Sequence, residues 1–300
     1  MTCIRVPRSY NASLKSCFFR WSVSAGLALS IIPGLALDAA EAQTARTEVR
    51  GVVSDPCPPP LVPPAELATW NHDLPPSAAV QAFIQEIQRR GKLDYANLCR
   101  YGADDAALTA KGDKPPVAVF LGDSITENWA RMDSGFLAEH VFVGRGISGQ
   151  VSAQTLLRFE QDVVDLRPRV VHIMIGTNDV AGNDGATTYE AIERNIVAMV
   201  SLARANGIAV VLATIPPAAD FPWRKGMRPA PKIQHLNDWL RDYARRNGIA
   251  VADYHTALAD AAGGFPTALS QDGVHPNLAG YKAMEPIALA AISAALMPRR

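Results

Sequence analysis

Two short segments far apart in the chain carry the residue types of nucleophilic catalysis. Residues 117–126 read VAVFLGDSIT, an apolar run that stops at Gly122, Asp123 and Ser124. Residues 272–276 read DGVHP and place Asp272 three positions before His275. A serine hydroxyl is a weak nucleophile until a base takes its proton. His275 offers that base. On the same side of one helical turn, Asp272 would accept the Nδ1 proton, fix the tautomer and stabilise the imidazolium. Each segment also has a plainer explanation. Ser124 could cap a helix, with Glu127 completing an S-x-x-E capping box, and a lone histidine is more often structural. His172, inside the run VVHIMI, is expected to be structural, and His72, His140, His235 and His255 stand in no catalytic context.

Two further segments could complete such a site. IGTND at 175–179 ends an apolar run with Asn178, whose side-chain amide could donate to charge developing on a substrate oxygen. Its plainer role is that of a turn residue. GRGISGQ at 144–150 holds glycines that let backbone N–H groups approach a ligand, or simply make a strand-to-helix turn. The pattern G-x-x-x-x-G-K-[ST] does not occur, which argues against a phosphate-binding loop of that type.

These segments need a scaffold, and the hydrophobic pattern supplies one. Short apolar runs fall at 117–121, 140–143, 169–175, 207–214 and 248–253. Helical spacing covers roughly 126–138, 151–166, 187–205, 231–247 and 277–296, and glycines at 207 and 248 stop two helices just before strands. Continuous apolar strands alternating with helices predict an α/β fold: a parallel sheet of five strands with helices on both faces. In an open sheet of that kind ligands bind beyond the carboxyl ends of the strands. The polar words lie there.

The remaining chain reads as leader and extension. Residues 1–42 carry Arg5, Arg8, Lys15 and Arg20, then an apolar stretch, then AEAQ, the order of a cleaved export signal. A membrane anchor is the alternative, but Gly26, Pro33 and Gly34 interrupt a stretch of marginal spanning length. Export to the periplasm or beyond is therefore expected, with no stable membrane anchor after cleavage. Residues 43–116 are rich in proline and contain one helical pattern, 77–91; residues 117–300 form the catalytic domain. Cys57 and Cys99 remain after cleavage, so a disulfide between them is expected in an oxidising compartment, with two free thiols as the alternative. Neither sits in a C-x-x-C pair, so no zinc site is expected. Hydrophobic residues make up 48% of the chain and charged ones 19%, and the formal net charge is zero. That composition supports a full core and argues against nucleic acid as partner.

With all four segments in order, the chain resembles the SGNH hydrolases, also called the GDSL esterase/lipase family. GDSIT resembles the nucleophile block, GISGQ the glycine block, GTND the asparagine block and DGVHPN the aspartate–histidine block. The resemblance covers about residues 117–297. It implies a three-layer, flavodoxin-like sheet of order 2-1-3-4-5. It implies Ser124 as nucleophile, His275 as base, Asp272 as its partner, and an oxyanion hole made by the Ser124 and Gly149 amides with the Asn178 side chain. It implies no metal and no cofactor. One departure is visible: Gly144 stands where the family often has asparagine. This leaves open whether a hydrogen bond that orders the loop is missing or replaced.

The texture of GDSITENW, GTNDVAGN and DGVHPNLAGYKAM is most similar to the branch of platelet-activating-factor acetylhydrolase and bacterial carbohydrate acetylesterases. The expected activity is that of an exported serine esterase on a small-molecule ester with a short acyl group. The alternatives are acyl transfer to a sugar hydroxyl, a lipase or lysophospholipase acting on longer chains, and a binding protein without turnover. The long link PPAADFPWRKGMRPAP, 216–231, could shape the substrate pocket through Phe221 and Trp223, with Asp123 beside the nucleophile as a third candidate. Ordinary surface packing of that loop is the alternative.

Overall fold

The computed structural model describes residues 57–59, 61–69, 74–110 and 114–297. The expected leader, 1–42, lies outside the described residues, as does the extension as far as residue 56.

Five parallel strands form one sheet: β1 (Ala118–Gly122), β2 (Phe142–Gly146), β3 (Val170–Met174), β4 (Ala209–Ala213) and β5 (Ala250–Ala252). Their spatial order is 2-1-3-4-5, as expected. Successive side chains on a strand point to opposite faces, and both faces here are apolar. Val119, Leu121, Val171, Ile173, Val210 and Leu212 face one core, filled by helices α7 (Tyr189–Ala205) and α8 (Ala230–Asn247). Ala118, Phe120, Val170, Met174, Val211 and Ala213 face the other. There they meet α3 (Ser124–Met132), α4 (Ser134–Glu139) and α10 (Leu278–Leu296). Burial on both sides is why the strands read as unbroken apolar runs. His172 belongs to this interior: fully buried, bonded to the Tyr254 hydroxyl at 2.8 Å, and held neutral because burial drives its pKa down to about 3.

Helices differ from the sequence pattern in three ways. The stretch 126–138 is two helices, α3 and α4, broken at Asp133. The stretch 151–166 is α5 (Ser152–Leu157) followed by a π-helical turn, Glu160–Val164. The break falls at Arg158, whose side chain turns inward under the sheet edge. Two five-residue helices, α6 (Thr177–Ala181) and α9 (Tyr254–Leu258), follow β3 and β5 and are too short to show a period.

The extension holds more helix than the single one expected: α1 (Ala78–Leu93) and α2 (Gly102–Ala110), with 3₁₀ turns at Ala65–Thr69 and Leu98–Arg100. Cys57 and Cys99 are bonded, with 5.3 Å between their Cα atoms. The segment 95–105 then docks on the loop after β2. Gln150, Gln154 and Gln161 donate to the carbonyls of Ala96, Tyr95 and Leu98 at 2.8, 2.9 and 2.8 Å. Asp105 pairs in the interior with Arg145 of β2, accepting from its Nε at 2.8 Å.

Candidate active site

The site forms where β1 and β3 end, because the chain passes from β1 to β2 on one side and then to β3 on the other. That reversal leaves a crevice at the carboxyl edge. Register pairs Gly122 with Gly146 on one side and with Met174 on the other. A Cβ on Gly122 would stand 2.3 Å from Thr126 Oγ1 and 2.4 Å from the Met174 carbonyl. A Cβ on Gly146 would stand 2.1 Å from the Glu127 amide. Only glycine lets the first turn of α3 sit this tightly on the strand ends.

Asp123 caps α3, accepting from the Ile125 amide at 3.0 Å. The cap is therefore not Ser124, which is the first residue of the helix. Glu127 completes no capping box. It instead accepts the Ser148 amide at 2.8 Å and the Ser148 hydroxyl, and it pairs with Arg100 of the extension at 3.2 Å. Relieved of capping, the Ser124 hydroxyl is free to turn to the crevice. Its Oγ lies 2.9 Å from His275 Nε2, across 151 positions of sequence.

His275 Nδ1 lies 2.6 Å from Asp272 Oδ2. A carboxylate only accepts, so the proton sits on Nδ1 and the Nε2 lone pair faces Ser124. The spacing of three does not mark a helical turn here. Residues 271–275 are bends ahead of α10, and Asp272 Oδ1 accepts the amides of Val274 and His275 at 2.9 and 2.8 Å. Ser270 Oγ, 2.8 Å from the His275 carbonyl, ties the far side of the same loop. Burial disfavours charge on both partners. Their hydrogen bond and mutual attraction, helped by the loop amides on Asp272, outweigh it: the Asp272 carboxyl is held well below the usual range and the His275 imidazole is raised.

On the other side stands Asn178, near the start of α6. Its Nδ2 donates to the Gln150 carbonyl at 3.0 Å and lies 3.4 Å from Asp123 Oδ2. One side-chain amide thus spans the loops after β1 and β2, next to Ser124 and Gly149. Gly149 has φ +81° and open space where a side chain would be. Asp179, beside Asn178, accepts the Ser152 amide at 2.9 Å and the Ser152 hydroxyl at 2.6 Å, clamping the same loops from beneath. Burial pushes the Asp123 carboxyl up to about 6, against the Ile125 amide and the nearby His275.

The loop after β2 does not lack order for want of an asparagine at 144. Fully buried Arg158 donates to the carbonyls of Gly122 and Arg145, both at 2.8 Å, to Gln150 Oε1 at 2.6 Å and to Asp162 at 2.7 Å. The Tyr101 hydroxyl, from the extension, bonds the Gly146 carbonyl. Sequence reasoning missed Arg158, Tyr101, Gln150 and Ser152, and gave Glu127 a capping role it does not take, because most of their decisive partners lie in other elements.

The remaining candidates divide. Trp223 is 43% exposed, and its ring centroid is 6.1 Å from that of His275. Phe221 has no exposed surface. It lies under Trp223, stacked at 5.1 Å, and so supports the pocket wall rather than lining it. Asp123 is likewise enclosed.

Known proteins resemble this chain in sequence and fold. Residues 120–283 match the GDSL-like lipase/acylhydrolase family. The chain is similar to a GDSL-like lipase from Bacteroides thetaiotaomicron of known structure, with 41% identity and a TM-score of 0.63, over 67% of this chain and all of that one. It is 28% identical to the esterase TesA of Pseudomonas aeruginosa, over 57% of this chain and 80% of TesA. It is 30% identical to the uncharacterized lipoprotein YqeF of Bacillus subtilis, a match that spans 43% of this chain and only 61% of YqeF. With residues 120–283, more than half its length, matching that family, and with the sheet order to go with it, the chain belongs to the GDSL-like lipase/acylhydrolase family.

Proposed function

We propose that the protein is an exported serine esterase that hydrolyses short-chain carboxylic esters. One observation carries the reading: Ser124 Oγ, His275 Nε2, His275 Nδ1 and Asp272 Oδ2 form a continuous line with steps of 2.9 and 2.6 Å. His275 takes the Ser124 proton as Oγ attacks the ester carbonyl. The carbonyl oxygen gains charge facing the Ser124 and Gly149 amides and the Asn178 side chain. His275 then gives its proton to the leaving alcohol, leaving an acyl group on Ser124. Water, deprotonated by His275, releases the acid and restores the hydroxyl.

We assign the alcohol side of the substrate to Trp223, whose ring centroid lies 6.1 Å from that of His275 and whose indole N–H bonds exposed Asn183, with exposed Arg224 next to it in sequence. An indole face ringed by polar groups suits a polar alcohol such as a sugar. Export agrees with the Cys57–Cys99 bond, which persists in an oxidising compartment. No helix among the described residues is long and apolar enough to cross a membrane.

The test is a nitrophenyl ester panel from acetyl to long acyl chains, together with acetylated sugars, comparing wild type with Ser124→Ala. Turnover that is fastest on acetyl or butyryl esters and absent in the variant is expected. A fluorophosphonate should add to Ser124 alone. Equal rates for the two proteins would refute the assignment.

A further inference from the structure

Asn178 poses a problem that its position alone does not solve. A carboxamide is nearly symmetric in shape, yet only its NH2 end can stabilise a developing oxyanion. Turned by half a rotation about its last bond, the side chain would present its oxygen to the reacting carbonyl and repel it. The Gln150 carbonyl, which only accepts, calls for the NH2 end on its side; the oxygen end needs a donor to match it.

The Asn178 Oδ1 atom accepts from Asn183 Nδ2 at 2.6 Å. Asn183 is another carboxamide and could be turned as well. Its own Oδ1 accepts from Trp223 Nε1 at 3.0 Å. There the ambiguity ends, because an indole N–H donates and never accepts. The direction therefore runs one way, from Trp223 Nε1–H to Asn183 Oδ1, from Asn183 Nδ2 to Asn178 Oδ1, and so leaves Asn178 Nδ2 toward the crevice and the Gln150 carbonyl. Local structure holds each link. Helix α6 ends at Gly182 with φ +65°, and the Asn183 amide bonds the Asn178 carbonyl at 3.0 Å, which folds Asn183 back beside Asn178. Trp223 is pinned by its stack on buried Phe221, by the Phe221–Arg224 turn at 2.9 Å, and by Arg224 Nη2 bonding the Gly182 carbonyl at 3.0 Å.

We infer that Asn183 and Trp223 are positioning residues that, together with the Gln150 carbonyl, hold the NH2 end of the Asn178 amide toward the substrate. This deepens the esterase reading and rests on it. The same indole that borders His275 also sets the polarity of the oxyanion donor, so a substrate that presses on Trp223 acts on both sides of the scissile bond.

The test is a double-mutant cycle in the full chain. Asn183→Leu keeps the approximate shape and removes both hydrogen bonds. Asn183→Asp keeps the acceptor for Trp223 and replaces the donor to Asn178 with a second acceptor. Each should lower kcat on a short nitrophenyl ester about 10- to 100-fold, with KM changed less than about threefold, below the roughly 10²–10³-fold loss of a whole oxyanion donor. Trp223→Phe keeps the ring and removes the N–H; it should lower kcat about 3- to 10-fold. In an Asn178→Ala background the Asn183 substitutions should add less than about twofold. Losses of equal size with and without Asn178 would overturn the inference, since a general packing defect or the charge of an aspartate would act in both backgrounds.

A second readout needs no turnover. The side-chain amide pair of Asn178, identified in ¹⁵N spectra by its loss in Asn178→Ala, should shift in Asn183→Leu and in Trp223→Phe, two bonds along the chain of contacts. Resonances unmoved by both would refute the relay. Wild type without Ser124-dependent turnover would refute the esterase reading, and the spectra would then decide the relay alone.

Discussion

Asp272→Asn is a sharper perturbation here than its small size suggests. In the native loop, Asp272 Oδ1 accepts two backbone amides, from Val274 and His275, and Oδ2 faces His275 Nδ1. An asparagine must keep its one oxygen where the two amides are, since an NH2 group there would meet two donors. Its NH2 group is thereby aimed at Nδ1. The imidazole answers by moving its proton to Nε2, the atom that should accept from Ser124. The base is lost although nothing has moved. For this wrong-tautomer effect a loss near 10⁴-fold in kcat is expected, about 5 kcal/mol at roughly 1.4 kcal/mol per tenfold. The acid limb of the rate profile moves too. In the wild type burial lowers the His275 pKa, but the Asp272 hydrogen bond and charge raise it by more, so the limb lies above the ordinary value of about 6.5. Activity is present above the raised pKa and is lost as pH falls through it. Without the Asp272 carboxylate, burial is opposed only by the smaller pull of Asp123, and the residual activity should persist to lower pH, with its limb below about 6.5. The assay is kcat/KM on a short-chain ester from pH 4 to 9, with circular dichroism to verify folding at each pH. A loss under tenfold, or a limb that stays in place, would refute the derivation.

Arg158→Met should be the most destabilising single change near the site. It leaves Asp162 buried without its cation and strips donors from the Gly122 and Arg145 carbonyls, so urea unfolding should show a loss of about 3–5 kcal/mol; a change under about 1 kcal/mol would contradict the buried pairing. Replacing Cys57 and Cys99 by serine opens a loop with a sequence separation of 42. The chain-entropy relation for a loop of that length gives a loss near 4 kcal/mol, read as a fall in the thermal midpoint that reduction of the wild type should match, and equal midpoints would mean the bond is not formed in solution.

Much of the fold was legible because both faces of the sheet are buried. The run at 117–121 and VVHIMI at 170–175 bury both faces and so are apolar at every position but His172, a signal visible without knowing any partner. The four polar words were legible for a related reason. Three of them combine a strand end with the glycine, aspartate or asparagine that a tight turn demands, and the fourth, DGVHP, is a tight loop ahead of α10; those demands are local. Helices α6 and α9 were not legible, since five residues make little more than one turn, and the break at Arg158 was not, since its cause is a set of carbonyls from other strands.

What the sequence by itself determined was the kind of sheet, the place of each chemical group at its edge, and the identities of nucleophile, base and orienting carboxylate as expectations. What only the tertiary structure decided was distance and direction. Ser124 and His275 meet across 151 positions. Asp123 takes the capping role and leaves the serine unoccupied. The extension supplies Tyr101 and the carbonyls of Tyr95, Ala96 and Leu98 to brace the loops. An indole N–H orients an amide two residues removed from it in the hydrogen-bond chain. Strand and turn preferences act on near neighbours and so are written in short words. The orientation of a hydrogen-bonding group depends on whichever group folding brings beside it, and no local pattern records that.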